Sequence, residues 1–393
     1  MKKYLYPANL LLPKRGFEQW AVIACDQYTS NAEYWADVEK AVGESPSTLR
    51  MVLPEIYLSD TDNRVNAINA TMRQYLDDGV FNEFDNAMVY IERKLSAGGI
   101  RKGILGLIDL SEYEYEAGKK ALVRATEQTV AERIPPRVKI RRDAPLEFPH
   151  VLIFIDDPDD TVMKVCERKE QLRKLYDFNL MKNGGHIEGY LLDESIQDTI
   201  NNSLGQLVKD GLLFAVGDGN HSLATAKVCS ELNPSQEAKF ALVEIVNIHN
   251  PAIEFEPIYR VVFGTTTNAL IEWFNVKGAV CDSVDAHKFT VVDCSGECEL
   301  NLKATSKLPV GTLQALLDEF IAQNPNTEID YIHGTDDVKE ICRRKDAVGF
   351  IFDGMRKSEL FDAVIQDGSL PRKTFSMGHA DDKRFYIEGR KIR

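Results

Sequence analysis

The residues Gly217-Asp218-Gly219-Asn220-His221 combine side chains and backbone groups of the kinds that bind anions. They follow a short apolar run, LLFAV (212–216), and precede a segment with helical periodicity, HSLATAKVCSEL (221–232). This pattern predicts a strand, a tight turn and a helix. The first N–H groups of such a helix lack partners within the helix, and the helix dipole adds a partial positive charge there. The turn therefore predicts a site for a phosphate or a carboxylate.

Each residue of this turn has a predicted part in the site. Asp218 is suited to hold a metal ion or to accept a proton, and His221 in the first helical turn is suited to donate to a phosphate. The glycines allow a ligand to approach the backbone closely. The predicted phosphate-binding residues of the turn are Gly217, Gly219, Asn220 and Ser222. The alternative is a plain strand-to-helix turn in which Asp218 or Asn220 only caps the helix.

Two further carboxylates are candidates for the same chemistry. The pattern over 119–133 predicts a helix that Pro135-Pro136 ends, and Arg124 and Glu127 are three residues apart on it. The alternative for that pair is an exposed helical ion pair worth about 0.3–0.5 kcal/mol. Asp26 follows the predicted strand WAVIAC (20–25) and is a candidate to join the site, although an Asx turn is its simpler interpretation.

The order of predicted elements indicates a mixed α/β to α+β protein with mixed sheets. Strands and helices alternate along the chain, but several strand pairs have connections too short for a parallel crossover. The pattern restarts after Gly264, so we expect a main domain over 1–263 and a smaller carboxy-terminal α/β subdomain over 264–393. At about 100–200 residues per domain, two domains suit a chain of 393 residues.

Composition excludes several classes of protein. With 47 Lys and Arg against 61 Asp and Glu, the formal net charge is −14, which argues against nucleic acid as a partner. No apolar run reaches membrane-spanning length, and no signal segment is apparent, so we expect a cytoplasmic protein that does not bind membranes. The seven cysteines are scattered and are expected to be reduced. Walker, HExxH, G-x-S-x-G and dinucleotide-binding patterns are absent from the sequence.

The segment FAVGDGNHSLATAK (214–227) resembles the D-G-H-H-R segment of a bacterial domain-of-unknown-function family, number ten-fifteen. That family is itself similar to the fold shared by ParB, sulfiredoxin and free serine kinase. Other segments agree with the family in the same order, and the resemblance covers nearly the whole chain. These segments are WAVIACDQYTSNAEYW (20–35), LVRATEQT (122–129), FEPIYRVV (255–262) and LPRKTF (370–375).

This resemblance implies a ParB/sulfiredoxin-like core and an enzyme that transfers a phosphoryl group to a small metabolite such as an amino acid. The implied cofactors are Mg²⁺, with Asp218 as its ligand, and ADP or ATP. Glu127 would be the general base and Arg124 a phosphate ligand, while Arg260 and Lys373 would neutralise developing charge. The resemblance also predicts that Lys373 approaches the turn at Asp218.

The chain departs from the family pattern at three positions. Asn220 replaces the first His of the motif, Ser222 replaces its Arg, and Tyr259 stands where a later His is usual. Arg is a bidentate phosphate ligand and Ser is not. These departures favour the alternative function, a non-catalytic ligand-binding or regulatory protein that keeps an anion-binding turn. The substrate and the oligomeric state stay open at this point.

Overall fold

The structure is a computed structural model that describes residues 2–116, 118–127, 134–233 and 235–393. The chain forms two units, one of Met1–Ile253 together with Gly378–Arg393 and one of Glu254–Met377. The strand over 255–263 pairs with three strands of the second unit. The final segment belongs to the first unit because its two strands pair with amino-terminal strands.

Ten α-helices lie in the described ranges, six of them in the first unit. Their bounds are α1 Phe17–Trp20, α2 Ala32–Val42, α3 Thr61–Asp77, α4 Ile134–Arg141, α5 Glu194–Gln206, α6 Asn220–Leu232, α7 Thr267–Val276, α8 Pro309–Gln323, α9 Thr335–Ile341 and α10 Leu360–Asp367.

The strands of the first unit are β1 Ala8–Pro13, β2 Val22–Ile23, β3 Phe81–Ala87, β4 Val89–Lys94, β5 Ile100–Asp109, β6 Tyr113–Glu114, β7 Val123–Ala125, β8 Leu146–Glu147, β9 Leu152–Ile155, β10 Arg173–Asn179, β11 His186–Leu191, β12 Phe214–Asp218, β13 Phe240–Asn247, β20 Phe385–Tyr386 and β21 Gly389–Lys391. Those of the second unit are β14 Phe255–Phe263, β15 His287–Asp293, β16 Gly296–Leu302, β17 Glu328–His333, β18 Ala347–Ile351 and β19 Phe375–Met377.

A nine-stranded sheet forms the centre of the first unit, in the order β10-β11-β4-β5-β13-β9-β12-β7-β6. Its pairs β13–β9, β12–β7 and β6–β7 are parallel, and the remaining pairs are antiparallel. A four-stranded sheet, β3-β1-β21-β8, and the short pair β2–β20 belong to the same unit. The predicted mixed α/β architecture with mixed sheets is therefore confirmed.

The central sheet separates two apolar cores in the first unit. One core contains Val123, Ala125 and Val216 of the sheet together with Leu223 and Ala224 of α6. The other core contains the tryptophans of α1 and α2 and apolar residues of β1, β4 and β20. Because successive strand residues point to opposite faces, the residues that alternate with Val123 and Val216 face away from α6.

The prediction of a helix over 119–133 is wrong for the segment that contains Arg124. Val123–Ala125 form β7, which lies between β12 and β6 in the central sheet and pairs in parallel with both. Burial of all three residues in the sheet outweighs the helical propensity of the segment. Arg124 and Glu127 are thus not i and i+3 on one helix, and residues 128–133 lie outside the described ranges.

The second unit, taken by itself, contains one larger sheet with helices α7 to α10. Its order is β16-β15-β18-β14-β17, and β19 pairs with the first part of β14. Phe274 of α7 and Phe350 of β18 are both fully buried with their ring centroids 6.2 Å apart. The unit therefore has an apolar core of its own and the α/β composition expected for the carboxy-terminal part.

Candidate functional site

The predicted strand, turn and helix are present where β12 ends and α6 begins. Gly219 is the residue before α6 and has φ 82°, a left-handed conformation that glycine adopts without strain. Among the described residues, no side chain caps the first N–H groups of α6. A Cβ at Gly219 would lie 3.1 Å from Cα of Val151, which is on the neighbouring chain segment. The amino terminus of α6 thus presents N–H donors that no described side chain caps, and the backbone at Gly219 has no room for a side chain.

We expect Gly219→Ala to damage this turn. The left-handed conformation costs an alanine roughly 1–2 kcal/mol, and the contact with Val151 adds to that cost. Urea unfolding of the full chain should show this loss, and ligand affinity should fall because the first N–H groups of α6 move. Gly43→Ala is the control, since it has φ 55° with open space around its Cβ position. It should reproduce the strain without the loss of affinity.

Arg124 lies on β7 in parallel register with Ala215 of β12, so both side chains face away from α6. The hydroxyl of Thr126 donates a hydrogen bond to the carbonyl of Val216 at 2.7 Å, which extends this pairing to the edge where the turn begins. Arg124 is only 7% exposed, yet among the described residues no carboxylate or carbonyl accepts a hydrogen bond from its side chain. Burial alone lowers the pKa of Arg124. A buried guanidinium without a counterion is a strong indication of an anionic ligand.

Asp218 faces a lysine that sequence reasoning missed. Its Oδ1 accepts a hydrogen bond from N–H of Gly219 at 2.9 Å, and its Oδ2 lies 3.4 Å from Nζ of Lys383. Both Oδ2 of Asp218 and Oδ1 of Asn220 are buried, and no group among the described residues donates a hydrogen bond to either. These are the kinds of polar atom that a bound ion or ligand usually satisfies.

Two buried arginines hold the segment that carries Lys383. The guanidinium of Arg93 donates to the carbonyls of Asp381, Asp382 and Lys383, and Arg101 donates to the carbonyl of Asp382 at 2.8 Å. Burial, followed by the charge of Arg101, lowers the pKa of Arg93 to about 9. Both arginines lie on neighbouring strands, β4 and β5, so Lys383 is held against the central sheet by its own backbone.

Asp26, which the sequence indicated only as a possible member of the site, lies beside Lys383 and His150. Its Oδ2 is 3.7 Å from Nε2 of His150, and Gln27 donates to its Oδ1 at 3.0 Å. Burial raises the pKa of Asp26, but His150, Gln27 and Lys383 together lower it below its ordinary value. Burial, followed by the charge of Asp26, raises the pKa of the neighbouring Cys25 thiol to about 12.

The remaining predicted residues lie in two regions of the chain, near the turn in the first unit and in the second unit. His221 and Ser222 are half-buried in the first turn of α6, and Glu127 is a half-buried residue just beyond β7. Glu127 follows Thr126 at the edge that also carries the turn, so its predicted role as a base stays a prediction.

Arg260 and Lys373 belong to the second unit. Arg260 is fully buried, and its guanidinium donates to the carbonyls of Ile258, Arg372 and Lys373 and to Oε1 of Gln314. These bonds fix the backbone of the loop in which Lys373 is exposed with φ 54°. The predicted phosphate contacts of both residues stay predictions.

Only one group of three potential metal ligands occurs in the described ranges, and it is not at Asp218. It consists of Asp177, His186 and Glu188 on the β10–β11 hairpin. Lys174 contacts both carboxylates, and Lys169 lies 2.8 Å from Glu188. These cations occupy the oxygens that a metal ion would need. Asp218 does fit Mg²⁺ in another way, because its buried Oδ2 is one carboxylate oxygen, and Mg²⁺ is usually held by one or two carboxylates together with substrate phosphates.

Fold and site together define a mixed α/β protein in which a strand of the central sheet ends in a glycine-containing turn at the start of a helix. A family model described as "Protein of unknown function (DUF1015)" matches residues 5–320, and the chain belongs to that family. The match ends within α8, so it includes the turn and Arg124 but not Lys383. No curated protein matches the chain.

Several solved structures are similar to this chain at low identity. A mutant of free serine kinase in complex with ADP is 13% identical, with a TM-score of 0.43, and the similarity covers 76% of this chain and 95% of that chain. Free serine kinase in complex with AMP has 13% identity, a TM-score of 0.42 and coverages of 73% and 92%. A conserved hypothetical protein from Pyrococcus furiosus has 12% identity, a TM-score of 0.40 and coverages of 73% and 95%.

No helix in the described ranges combines the length and the apolar character needed to cross a membrane.

Proposed function

We propose that this protein is a Mg²⁺-dependent phosphotransferase that acts on a small metabolite and uses ADP or ATP, on a ParB/sulfiredoxin-like core. The observation that carries the proposal is Arg124, a guanidinium that is 7% exposed and has no hydrogen-bond or ion-pair partner among the described residues, on the strand next to β12. Burial of an unpaired charge is costly, and a phosphate bound by Arg124 would offset that cost.

The donor side of the proposed site consists of backbone and basic groups. The N–H groups of Gly219 to His221 and the side chain of Ser222 would hold phosphate oxygens, with Arg124 as a bidentate ligand. Mg²⁺ supplies charge neutralisation between the phosphates, and Oδ2 of Asp218 would be its protein ligand. Lys383 adds a positive charge 3.4 Å from that carboxylate.

The acceptor side needs a group that takes the proton of the attacking hydroxyl. The sequence-based candidate is Glu127, at the same edge of the sheet as the turn. The acceptor proposed first is an amino acid such as serine, on the sequence resemblance alone. The non-catalytic alternative keeps the phosphate contacts and lacks the transfer step.

The test is a thermal-shift series of the full chain with ATP, ADP, AMP and inorganic phosphate, each with and without Mg²⁺. A ligand at about 100 times its Kd adds roughly 2.7 kcal/mol of stability. We expect ADP or ATP to raise the Tm, with a larger rise when Mg²⁺ is present. In Asp218→Asn the additional effect of Mg²⁺ should disappear, while the Tm without ligand stays close to that of the wild type.

The same series separates the two functions. A nucleotide that raises the Tm, followed by transfer of its terminal phosphate to serine or water, supports the phosphotransferase. A nucleotide that binds without any transfer supports the non-catalytic protein. If no nucleotide and no phosphate shifts the Tm, the anion site itself is refuted.

A further inference from the structure

Asp26, His150 and Tyr386 form a cluster that the proposed phosphate contacts do not use. Tyr386 and His150 are 2% and 6% exposed, whereas the carboxylate side chain of Asp26 is 29% exposed. The cluster thus has two buried members and one member that solvent or a substrate can reach. In such an arrangement the partly exposed carboxylate can react, while the two buried side chains fix its orientation.

The hydrogen bonds of Tyr386 determine how the ring of His150 is oriented. The N–H of Cys25 donates to Oη of Tyr386 at 3.1 Å, so that oxygen already serves as an acceptor. Its own proton is then available for Nδ1 of His150, which lies 2.9 Å away. A neutral imidazole that accepts at Nδ1 carries its proton on Nε2. Nε2 is the ring atom that faces Oδ2 of Asp26, at 3.7 Å.

Two independent connections place Asp26 next to the anion-binding turn. Lys383 lies 3.4 Å from Asp218 and is close enough to Asp26 for its charge to act on that carboxylate. His150 immediately precedes Val151, the residue that packs against Gly219. The pairing of β2 with β20 holds the whole cluster together, since it sets Val22 opposite Tyr386.

We propose that Asp26 is the catalytic residue that receives the proton of the acceptor hydroxyl, and that His150 and Tyr386 are positioning residues for it. This inference rests on the proposed phosphotransferase function. In the step, the acceptor oxygen forms a bond to the terminal phosphorus of the nucleotide while the bond from that phosphorus to the bridging oxygen breaks. The bridging oxygen keeps the electron pair, and the hydroxyl proton goes to Oδ2 of Asp26. That proton then leaves to solvent through the exposed side of the carboxylate.

The position of Asp26 gives it an advantage over Glu127 as the base. Asp26 has a donor facing each of its oxygens, Nε2 of His150 at 3.7 Å and Nε2 of Gln27 at 3.0 Å, so its orientation is determined before substrate binds. Catalytic hydrogen bonds are often long in a protein without substrate and shorten in the complex. The titratable groups that act on Asp26 or contact its partners are Lys383, His150, Cys25 and Tyr386.

The experiment compares Asp26→Asn with Glu127→Gln in the full chain. Nucleotide affinity is measured by calorimetry with Mg–ADP, and turnover by phosphate release from Mg–ATP in water and by transfer to L-serine. For Asp26→Asn we expect a turnover loss of about 10²–10⁴-fold, with Kd for Mg–ADP within roughly threefold of the wild type. Asp26→Glu should recover part of the turnover because it restores a carboxylate.

Positioning by His150 is tested through the pH profile of turnover. In His150→Gln the fall in turnover at low pH should move, because His150 is one of the groups that lower the pKa of Asp26. In Tyr386→Phe it should move because the hydrogen bond that orients the ring of His150 is lost. A residue with a merely structural function would lower stability and leave that profile in place.

The other outcomes separate failure of the role of Asp26 from failure of the proposed phosphotransferase function. If Asp26→Asn keeps its turnover and Glu127→Gln loses it, Asp26 is not the base, and the proposed phosphotransferase stands. If the wild type binds Mg–ADP but transfers phosphate to neither acceptor, the transfer function and the role of Asp26 are both refuted. In that case the non-catalytic protein remains.

Discussion

Arg124→Met is expected to weaken the binding of Mg–ADP and Mg–ATP by about 100-fold or more. Each hydrogen bond to a charged group contributes about 1.5–3 kcal/mol, and a bidentate phosphate contact contains two of them. In the absence of ligand the variant should be no less stable than the wild type. Replacing a buried charge by an apolar side chain of similar size is often neutral or stabilising by roughly 1–4 kcal/mol. The measurements are calorimetric titration with nucleotide and urea unfolding without it.

Two other variants serve as an intermediate case and as a control for Arg124→Met. Arg124→Lys keeps the charge but loses the planar fork, so its affinity should fall between those of the wild type and Arg124→Met. Arg173 is the control, because it is an exposed arginine of the same unit that lies over the ring of Phe84. Arg173→Met should leave affinity unchanged. Arg124 has a structural role if Arg124→Met unfolds more easily than the wild type while its nucleotide affinity is unchanged.

Arg384→Met is expected to lower the free energy of unfolding by about 3–5 kcal/mol. Among the described residues it leaves the buried carboxylate of Glu388 without a cation, and it removes one of the two arginines beside the buried Glu244, the other being Arg101 at 3.8 Å. Arg384 is 3% exposed and donates to Glu244 at 2.8 Å and to Glu388 at 2.7 Å. Tyr176 donates to the second oxygen of Glu388. Urea unfolding measures the loss, and the nucleotide-binding site should be lost with it, since Arg384 directly follows Lys383.

A double variant tests the electrostatic origin of that loss. Adding Glu388→Gln to Arg384→Met removes the carboxylate that the single variant leaves without a cation, so the double variant should be more stable than Arg384→Met alone. The control is Lys391→Met in the same carboxy-terminal segment, where the partner Glu83 is 59% exposed. Exposed ion pairs contribute at most about 1 kcal/mol. An equal loss in Lys391→Met would indicate that the segment is sensitive to any substitution rather than to buried charge.

Features that depend on nearby residues were predicted well from the sequence. The strand, turn and helix from β12 to α6 were expected because apolar runs, glycines and helical periodicity are local signals. The hairpin that joins β10 to β11 also has a local signal, the turn residues Asn183-Gly184-Gly185. The prediction over 119–133 was wrong because β7 has only three residues, too few to show a periodicity, and its pairing partner β12 is about ninety residues away.

The sequence by itself determined the chemistry of the turn: two glycines, a carboxylate and an imidazole before a helix. It did not determine what lies around that turn. Lys383 and Tyr386 reach it because β20 pairs with β2 across nearly the whole chain, and because Arg93 and Arg101 bind the backbone around Lys383. Among the described residues Arg124 has no counterion, and its strand is buried in the central sheet. Such features arise from pairings between distant segments and from the burial that those pairings impose, and neither leaves a local pattern in the sequence.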